Sequence, residues 1–268
     1  MSLQTPEAIG LLALLGVLGL AIGSFLNVVV WRVPRGESVV NPPSACPRCG
    51  AAIRRRDNIP VLSWLLLRGK CRDCGGAVAV RYLVVEVLTA GLFILVGARF
   101  LEQPWALPAY LYLASIAVAL ALIDIDTHRL PNTIVLPSYA VVPILLLVAS
   151  APSGDWGALV RAGLAGAALW LAYAVMWFAY PSGMGFGDVK LAGVLGMLLG
   201  WLGWGALVVG AFSAFLVGGA FALALLVLRR AGRKSGIPFG PWMLLGAGVG
   251  IACGEQIWDA YLRAAGLA

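Results

Sequence analysis

Long apolar stretches, separated by short polar segments, make up most of the chain. Eight of them have roughly the length needed to cross the membrane, since a helix rises about 1.5 Å per residue and the hydrocarbon is about 30 Å thick. They cover residues 9–30, 83–100, 108–123, 134–150, 159–180, 189–205, 206–228 and 240–258. The pattern predicts an all-α polytopic membrane protein with about eight transmembrane helices. Its least marked boundary is the uncharged turn near residues 203–205.

The composition agrees with this fold class. Of 268 residues, 61% are apolar and 12% are charged, with a mean hydropathy of +0.93, and such a chain is not water-soluble. The first apolar segment lacks a basic beginning and a small-residue cleavage site. Residues 1–31 are therefore predicted to be a retained transmembrane helix and not a signal peptide. Gly16, Gly19 and Gly23 would allow another helix to approach it closely.

The basic residues indicate an orientation. Cytoplasmic loops of membrane proteins carry an excess of Lys and Arg, and sixteen of the nineteen basic residues lie inside if both chain ends lie outside. The sequence therefore predicts an outside N-terminus, an outside C-terminus and a cytoplasmic segment at residues 32–81. The formal net charge of +7 is expected to attract anionic lipid headgroups, so a nucleic-acid partner is not needed to explain it.

The cytoplasmic segment contains two Cys-x-x-Cys pairs, Cys46 with Cys49 and Cys71 with Cys74, which are separated by 21 residues. Four thiolates in two such turns form the tetrahedral site that zinc prefers. Disulfides are the alternative, but a reducing cytosol favours a metal. A bound metal ion also gives a small module stability that its own core cannot provide. Residues 32–81 are predicted to be a tetra-cysteine module with structural zinc, and the isolated Cys253 is predicted to be a packing residue.

Two aspartates occupy costly positions for a membrane protein. Asp124 follows the third apolar stretch and Asp188 precedes the sixth, which places both at the same edge of the bilayer. A carboxylate at such a position is expensive unless it has a function. Asp126 points about 200° away from Asp124 around the helix, so only one of them can face Asp188. Asp124 is the deeper of the two, and Asp126 and His128 are expected to be solvated.

Two carboxylates that share a proton can hydrolyse a peptide bond. The ionised group takes a proton from water, and the protonated group polarises the carbonyl. Asp188 precedes a helix and Asp124 ends one, so the helix dipoles predict that Asp188 carries the charge and Asp124 the proton. Gly185, Phe186 and Gly187 are expected to leave backbone groups open to an extended substrate strand. Residues 82–268 are thus predicted to be a seven-helix membrane aspartic peptidase domain.

Several ordered motifs resemble those of the bacterial type IV prepilin peptidases, which are membrane aspartic proteases of the Gly-x-Gly-Asp type. They are Gly23-Ser24-Phe25-Leu26-Asn27-Val28, Arg32-Val33-Pro34, the four cysteines, residues 57–64, Arg68-Gly69-Lys70-Cys71, Arg81-Tyr82 with Val85-Glu86, residues 124–132 and residues 185–190. The resemblance covers nearly the whole chain. It departs at Leu83, where the family commonly has proline, and this change should affect the helix entry more than the chemistry.

The resemblance implies a bifunctional enzyme of the bacterial inner membrane. Asp124 and Asp188 would cut the basic leader from prepilins or pseudopilins on the cytoplasmic side, after a glycine. The enzyme would then methylate the new N-terminus with S-adenosylmethionine. Gly69, Lys70 and Glu86 are candidates for methyl transfer by resemblance and position, although Glu86 could instead dock the module through an ion pair with Arg81 or Lys70. No glycine-rich nucleotide loop predicts where the methyl donor binds.

Two other classes of protein are compatible with parts of this pattern. A proton-coupled transporter would use Asp124 and Asp188 as a relay, but it predicts matching halves with broken helices. A non-catalytic assembly scaffold would use the zinc module to bind partners and would not need Asp188.

A further question is recruitment of the leader, because a basic module should repel a basic leader. Either Asp57 and Asp73 bind the leader or anionic lipid recruits it.

Overall fold

The computed structural model describes residues 5–181, 183–228 and 237–267. Within those residues the fold is built from eight helices of at least 17 residues and one short helix. They are α1 (Pro6–Arg32), α2 (Leu62–Leu66), α3 (Val80–Arg99), α4 (Leu107–Thr127), α5 (Asn132–Ser150), α6 (Trp156–Ala179), α7 (Phe186–Leu202), α8 (Trp204–Val227) and α9 (Gly240–Ala264). The basic residues predicted to lie inside at positions 229–234 fall outside the described ranges.

Six of these helices are long and apolar enough to cross a membrane: α1, α3, α4, α5, α6 and α8. The remaining long helices are α7, with 17 residues, and α9, with 25. The all-α polytopic membrane class is confirmed, and the eight long helices coincide with the eight apolar stretches. The number of membrane crossings stays a prediction.

The backbone packing divides the chain into two compact units, Met1–Ala119 and Leu120–Ala268. In the first unit α1 packs along α3. In the second unit α6 packs along α7, and α8 packs along α9. The boundary between the two units falls within α4.

Glycines make these helix pairs close. A Cβ atom at Gly19 would lie 2.6 Å from the Cα of Ala90, and one at Gly23 would lie 2.7 Å from the Cα of Glu86. The predicted close approach of a helix to these α1 glycines is therefore confirmed. Glycines also allow the other two helix pairs to pack closely. Gly196 of α7 lies against the backbone of α6, and Gly246 of α9 lies against the backbone of α8. Small residues bring backbones into contact where lipid offers no hydrophobic driving force between helices.

The uncharged turn between α7 and α8 receives a carboxylate from a distant helix. α7 ends at Leu202 and α8 begins at Trp204, so the predicted boundary near residues 203–205 is correct. Glu255 of α9 reaches this turn, and its Oε1 accepts a hydrogen bond of 2.9 Å from the Ala206 N–H. The first N–H groups of a helix have no partner within the helix, and Glu255 supplies one for α8.

Candidate active site and metal site

Asp124 is buried near the end of α4. Its side chain is 5% exposed, and its Oδ2 accepts a hydrogen bond of 3.0 Å from the N–H of Gly240, the first residue of α9. A Cβ at Gly240 would lie 2.7 Å from this oxygen, so only glycine fits here without a shift. Asp126 is exposed, as is His128, and the His128 N–H bonds to the Asp124 carbonyl at 2.8 Å, which closes the end of α4.

Asp188 is buried in the first turn of α7, with 7% of its side chain exposed. Its Oδ2 accepts a hydrogen bond of 3.1 Å from the N–H of Gly185, the residue that precedes the helix. A side chain at this third position that reaches back to the preceding N–H is one half of a capping box. Asp124 and Asp188 lie close enough for their charges to interact.

The segment before Asp188 differs from its prediction. Phe186 and Gly187 form the first turn of α7, and Gly185 has a φ of −75°, so neither an open loop nor a left-handed residue occurs there. Phe186 and Gly187 are therefore helical and not part of an open loop, whereas the pairing of a substrate strand with this segment stays a prediction. Gly187 has a packing reason instead, because a Cβ at this position would lie 3.0 Å from the Cβ of Leu130.

Both carboxylates lie at the beginning of a helix. Asp188 lies in the first turn of α7, and the carboxylate of Asp124 meets the first N–H of α9. A helix N-terminus favours negative charge. The C-terminus of α4 favours the proton on Asp124, whereas the N-terminus of α9 favours its negative charge. The helix ends therefore do not decide which of the two carboxylates is protonated.

Aromatic side chains from α6, from α8 and from the residue before α9 pack together beside Asp188. Tyr173 of α6 is buried and lies close enough to Asp188 to interact with its charge. The Tyr173 ring packs against Phe215 of α8, with a centroid distance of 5.7 Å, and against Phe239, at 6.3 Å. Beside the site, Lys190 Nζ donates to Asn132 Oδ1 at 2.9 Å, which connects the beginnings of α5 and α7.

Residues such as Tyr173 and Gly240 were missed by the sequence reasoning. Tyr173 lies within an apolar stretch, where nothing in the sequence separates a residue facing the site from one facing lipid. For Gly240 one signal existed, because Gly240-Pro241 follows a polar segment and proline favours the first turn of a helix. That signal predicts a helix start but does not indicate its contact with Asp124.

In the first unit, the four cysteines Cys46, Cys49, Cys71 and Cys74 form one cluster. Their sulfur atoms all lie within 4.8 Å of one another, and the Cys46 and Cys74 sulfurs are 3.9 Å apart. Four sulfurs at about 2.3 Å from a zinc ion form a tetrahedron with edges of about 3.8 Å. The cluster therefore fits a tetrahedral metal ion.

The two Cys-x-x-Cys turns have the same backbone design. In each turn the first cysteine N–H bonds to a carbonyl five residues later, at 2.9 Å for Cys46 and 2.7 Å for Cys71. Each turn closes on a glycine with positive φ, +70° at Gly50 and +66° at Gly75. Left-handed backbone is costly for residues other than glycine, so the pattern Cys-x-x-Cys-Gly makes each turn a local property of the sequence.

The thiols of the cluster are unequal. Backbone N–H groups of Cys49 and Arg48 lower the pKa of the Cys46 thiol to about 6. The Ala51 N–H lowers the pKa of Cys49, but desolvation and the neighbouring sulfurs together raise it to about 11. Crowded thiolates repel one another unless a cation is present, so this donor set is suited to a metal ion.

The candidates for methyl transfer have structural contacts. Gly69 has a φ of +65°, and a Cβ there would lie 2.8 Å from the ring of Trp64. Glu86 is buried, and its Oε2 accepts a hydrogen bond of 2.7 Å from the Val61 N–H, so it contacts the module through the backbone. Lys70 is exposed. Their part in methyl transfer stays a prediction.

Both acids proposed to bind a basic leader have basic partners within the module. Arg72 holds Asp57 through two parallel hydrogen bonds, Nη2 to Oδ1 at 2.7 Å and Nε to Oδ2 at 2.9 Å. These bonds and the charge of Arg72 lower the pKa of Asp57. Arg54 pairs with Asp73 at 2.9 Å. Both charges are thus already compensated within the module.

Comparison with known proteins identifies the family. The model described as "Type IV leader peptidase family" matches residues 111–227, and "Bacterial Peptidase A24 N-terminal domain" matches residues 17–100. The chain is 36% identical over 284 residues to the prepilin leader peptidase/N-methyltransferase of Aeromonas salmonicida (strain A449), with 93% of each chain covered. It is 38% identical over 283 residues to that of Dickeya chrysanthemi, which covers 92% of this chain and 94% of the relative. The protein belongs to the type IV leader peptidase family.

A third relative extends the match to almost the full chain. The prepilin leader peptidase/N-methyltransferase of Stutzerimonas stutzeri is 34% identical over an alignment of 298 residues. This alignment covers 98% of this chain and 97% of the relative. No solved structure matches. The family indicated by the motifs is thus confirmed.

Proposed function

We propose that this protein is an aspartic peptidase of the bacterial inner membrane that removes the leader from type IV prepilins or pseudopilins, after a glycine. It then methylates the new N-terminal amine with S-adenosylmethionine. The observation that carries the peptidase assignment is the buried pair Asp124 and Asp188, in a chain whose relatives are prepilin leader peptidase/N-methyltransferases.

The two carboxylates divide the chemistry of hydrolysis. The ionised group takes a proton from a water molecule, whose oxygen attacks the peptide carbonyl carbon. The protonated group donates its proton to the carbonyl oxygen, which gives a tetrahedral intermediate. The C–N bond then breaks as a proton passes to the leaving nitrogen. Gly240 and Gly185 support this role by bonding to Oδ2 of Asp124 and Asp188, so the Oδ1 atoms are the ones proposed to meet water and peptide.

The proposed site faces the cytoplasm, with both chain termini outside. The distribution of basic residues supports this orientation. Anionic lipid is the proposed recruiter of the basic leader, because Asp57 and Asp73 are paired within the module. The module is proposed to hold one structural zinc ion on Cys46, Cys49, Cys71 and Cys74. Four thiolates leave no open coordination position for catalysis.

Methyl transfer rests on the names of the relatives alone. Gly69, Lys70 and Glu86 are the residues proposed for methyl transfer or for docking the module, and Glu86 contacts the module through the Val61 N–H. The transporter and scaffold alternatives are not favoured, since the relatives across the full chain are peptidases by name.

The test is the intact mass of a prepilin precursor after incubation with purified enzyme and S-adenosylmethionine. Asp124→Asn and Asp188→Asn are compared with Asp126→Asn, a matched control on an exposed acid two residues from Asp124. We expect loss of the leader and gain of one methyl group with the wild type and the control, and neither change with the two site variants. Cleavage by either site variant at the wild-type rate would refute the assignment of Asp124 and Asp188 as the catalytic pair. Cleavage without methylation would refute the methyltransferase activity but not the peptidase activity.

A further inference from the structure

Residues 59–67 of the cysteine module form an uncharged apolar run, Ile-Pro-Val-Leu-Ser-Trp-Leu-Leu-Leu, with Arg56 before it and Arg68 after it. In a water-soluble module such a run would form the core. Here the side chains of Leu62, Leu65 and Leu66 are 48%, 55% and 72% exposed. The run, called the apolar segment, therefore presents three exposed leucines that an apolar partner would cover.

The position of this segment indicates that partner. Its Val61 bonds to Glu86, which is the seventh residue of α3 and so lies about 9 Å along the axis from the first residue. Gly23 of α1 contacts the backbone of Glu86, and it lies about 13 Å before the end of α1 at Arg32. Both helices are long and apolar enough to cross a membrane. Val61, in the first half of the apolar segment, thus contacts α3 within its first two turns, where α3 packs against α1.

Several backbone N–H groups of the segment have partners within the protein. The Ile59 N–H bonds to Ser63 Oγ at 3.0 Å, and the Val61 N–H bonds to Glu86 Oε2 at 2.7 Å. The N–H groups of Ser63, Leu65 and Leu67 bond to the carbonyls of Ile59, Val61 and Ser63, each at 3.0 Å. Water would satisfy these groups on an exposed loop, whereas in hydrocarbon each one needs a protein partner.

A strained turn at Val61 positions the apolar segment beside α3. Val61 has φ of 61° and ψ of −54°, and the Leu62 N–H bonds to the Pro60 carbonyl at 2.6 Å. This geometry is a γ-turn with positive φ, which is rare and especially unfavourable for a β-branched residue. Strain of this kind persists where surrounding contacts enforce it. The contact here is the buried Glu86, whose carboxylate would be costly in a membrane helix without such a use.

We propose that the apolar segment inserts into the leaflet in which α3 begins, with Leu62, Leu65 and Leu66 against phospholipid acyl chains. Arg56 and Arg68, on either side, then lie at the level of the headgroups. Glu86 anchors the segment through the Val61 N–H. The inference needs only that α1 and α3 cross the membrane, so it stands independently of the peptidase assignment and of which side is cytoplasmic.

Photo-crosslinking in vesicles of phosphatidylethanolamine and phosphatidylglycerol tests this placement. A benzoylphenylalanine is introduced in the full-length protein at Leu66, at Val40 of the same module or at Val84 of α3. All three positions are exposed in the protein, Val40 at 76% and Val84 at 54%, so the new ring does not disturb packing. We expect phospholipid adducts at Leu66 in a yield similar to Val84, and none at Val40. Adducts at Leu66 as rare as at Val40, or joined to protein instead of lipid, would overturn the insertion.

The anchor is tested in the same assay. Glu86→Gln retains an oxygen that can accept from Val61, whereas Glu86→Leu does not. We expect the yield of lipid adduct at Leu66 to fall in Glu86→Leu and to remain near the wild-type value in Glu86→Gln. Protease resistance of the module, measured in parallel, identifies a variant that has unfolded. Equal yields in two folded variants would overturn the anchoring role of Glu86.

Discussion

Gly69→Ala separates a structural role for this glycine from a role in methyl transfer. Gly69 has a φ of +65°, and a Cβ there would lie 2.8 Å and 3.0 Å from two ring atoms of Trp64. The ring cannot move away freely, because Trp64 Nε1 bonds to the Val78 carbonyl. The Gly69 N–H also bonds to the Trp64 carbonyl at 2.8 Å, which closes α2.

The expected loss in the free energy of unfolding has two parts. A left-handed residue other than glycine costs about 1–2 kcal/mol, and forcing a methyl group into a filled space costs about 1–3 kcal/mol. Gly69→Ala should therefore destabilise the module by about 2–5 kcal/mol. Gly50→Ala is the matched control, because Gly50 has a φ of +70° but nothing within 4 Å of the added Cβ. Gly50→Ala should lose only the free energy that a left-handed residue other than glycine costs.

The assay is the temperature at which a protease cuts half of the purified protein within residues 32–81. We expect the midpoint to fall for both variants, and further for Gly69→Ala. In a Trp64→Leu background, where the ring is absent, Gly69→Ala should cost no more than Gly50→Ala does. Equal losses for the two single variants in the wild-type background would refute the argument from the ring. Loss of methylation by Gly69→Ala at unchanged resistance would instead indicate a direct role in methyl transfer.

Three further predictions concern other parts of the chain. Glu255→Ala removes the carboxylate at the start of α8, and we expect a loss of about 0.5–2 kcal/mol in denaturant titration, with a smaller loss for Glu255→Gln. Gly166→Ala places a Cβ 2.6 Å from an α7 side chain and should cost about 1–3 kcal/mol, whereas Gly163→Ala, which enters open space, should lie within about 0.5 kcal/mol of the wild type. Cys74→Ser should lower the bound metal and the protease resistance of the module, whereas Cys253→Ser should change neither.

Each of these has a clear contrary result. Equal stability of the wild type and both Glu255 variants would show that α8 does not need this cap. A larger loss at Gly163 than at Gly166 would contradict the close contact between α6 and α7. Full metal content and resistance in Cys74→Ser would exclude a structural ion on the four sulfurs.

Local features of this protein could be predicted from the sequence. The stretch at residues 134–150 coincides with α5, Asn132–Ser150, because an apolar run in lipid must satisfy its own backbone and a helix does so within one segment. The Cys-x-x-Cys turns were predictable for a similar reason, since their bonds join residues within five positions. Asp124 and Asp188 were also recognisable from the sequence alone, because a carboxylate at the membrane edge is costly.

What remained for the tertiary structure was the choice of distant partners. Hydropathy is almost uniform around these helices, so it does not separate the face that meets lipid from the face that meets Asp188, and Tyr173 carried no signal. Residues 59–67 are too short to cross a membrane, and only the bond from Val61 to Glu86 reveals their place beside α3. The sequence by itself determined the helices, the Cys-x-x-Cys turns and the two aspartates at the membrane edge, because each depends on neighbours in the chain or on the solvent. Their assembly depended on glycines and single hydrogen bonds between residues up to 116 positions apart, and only folding brings those together.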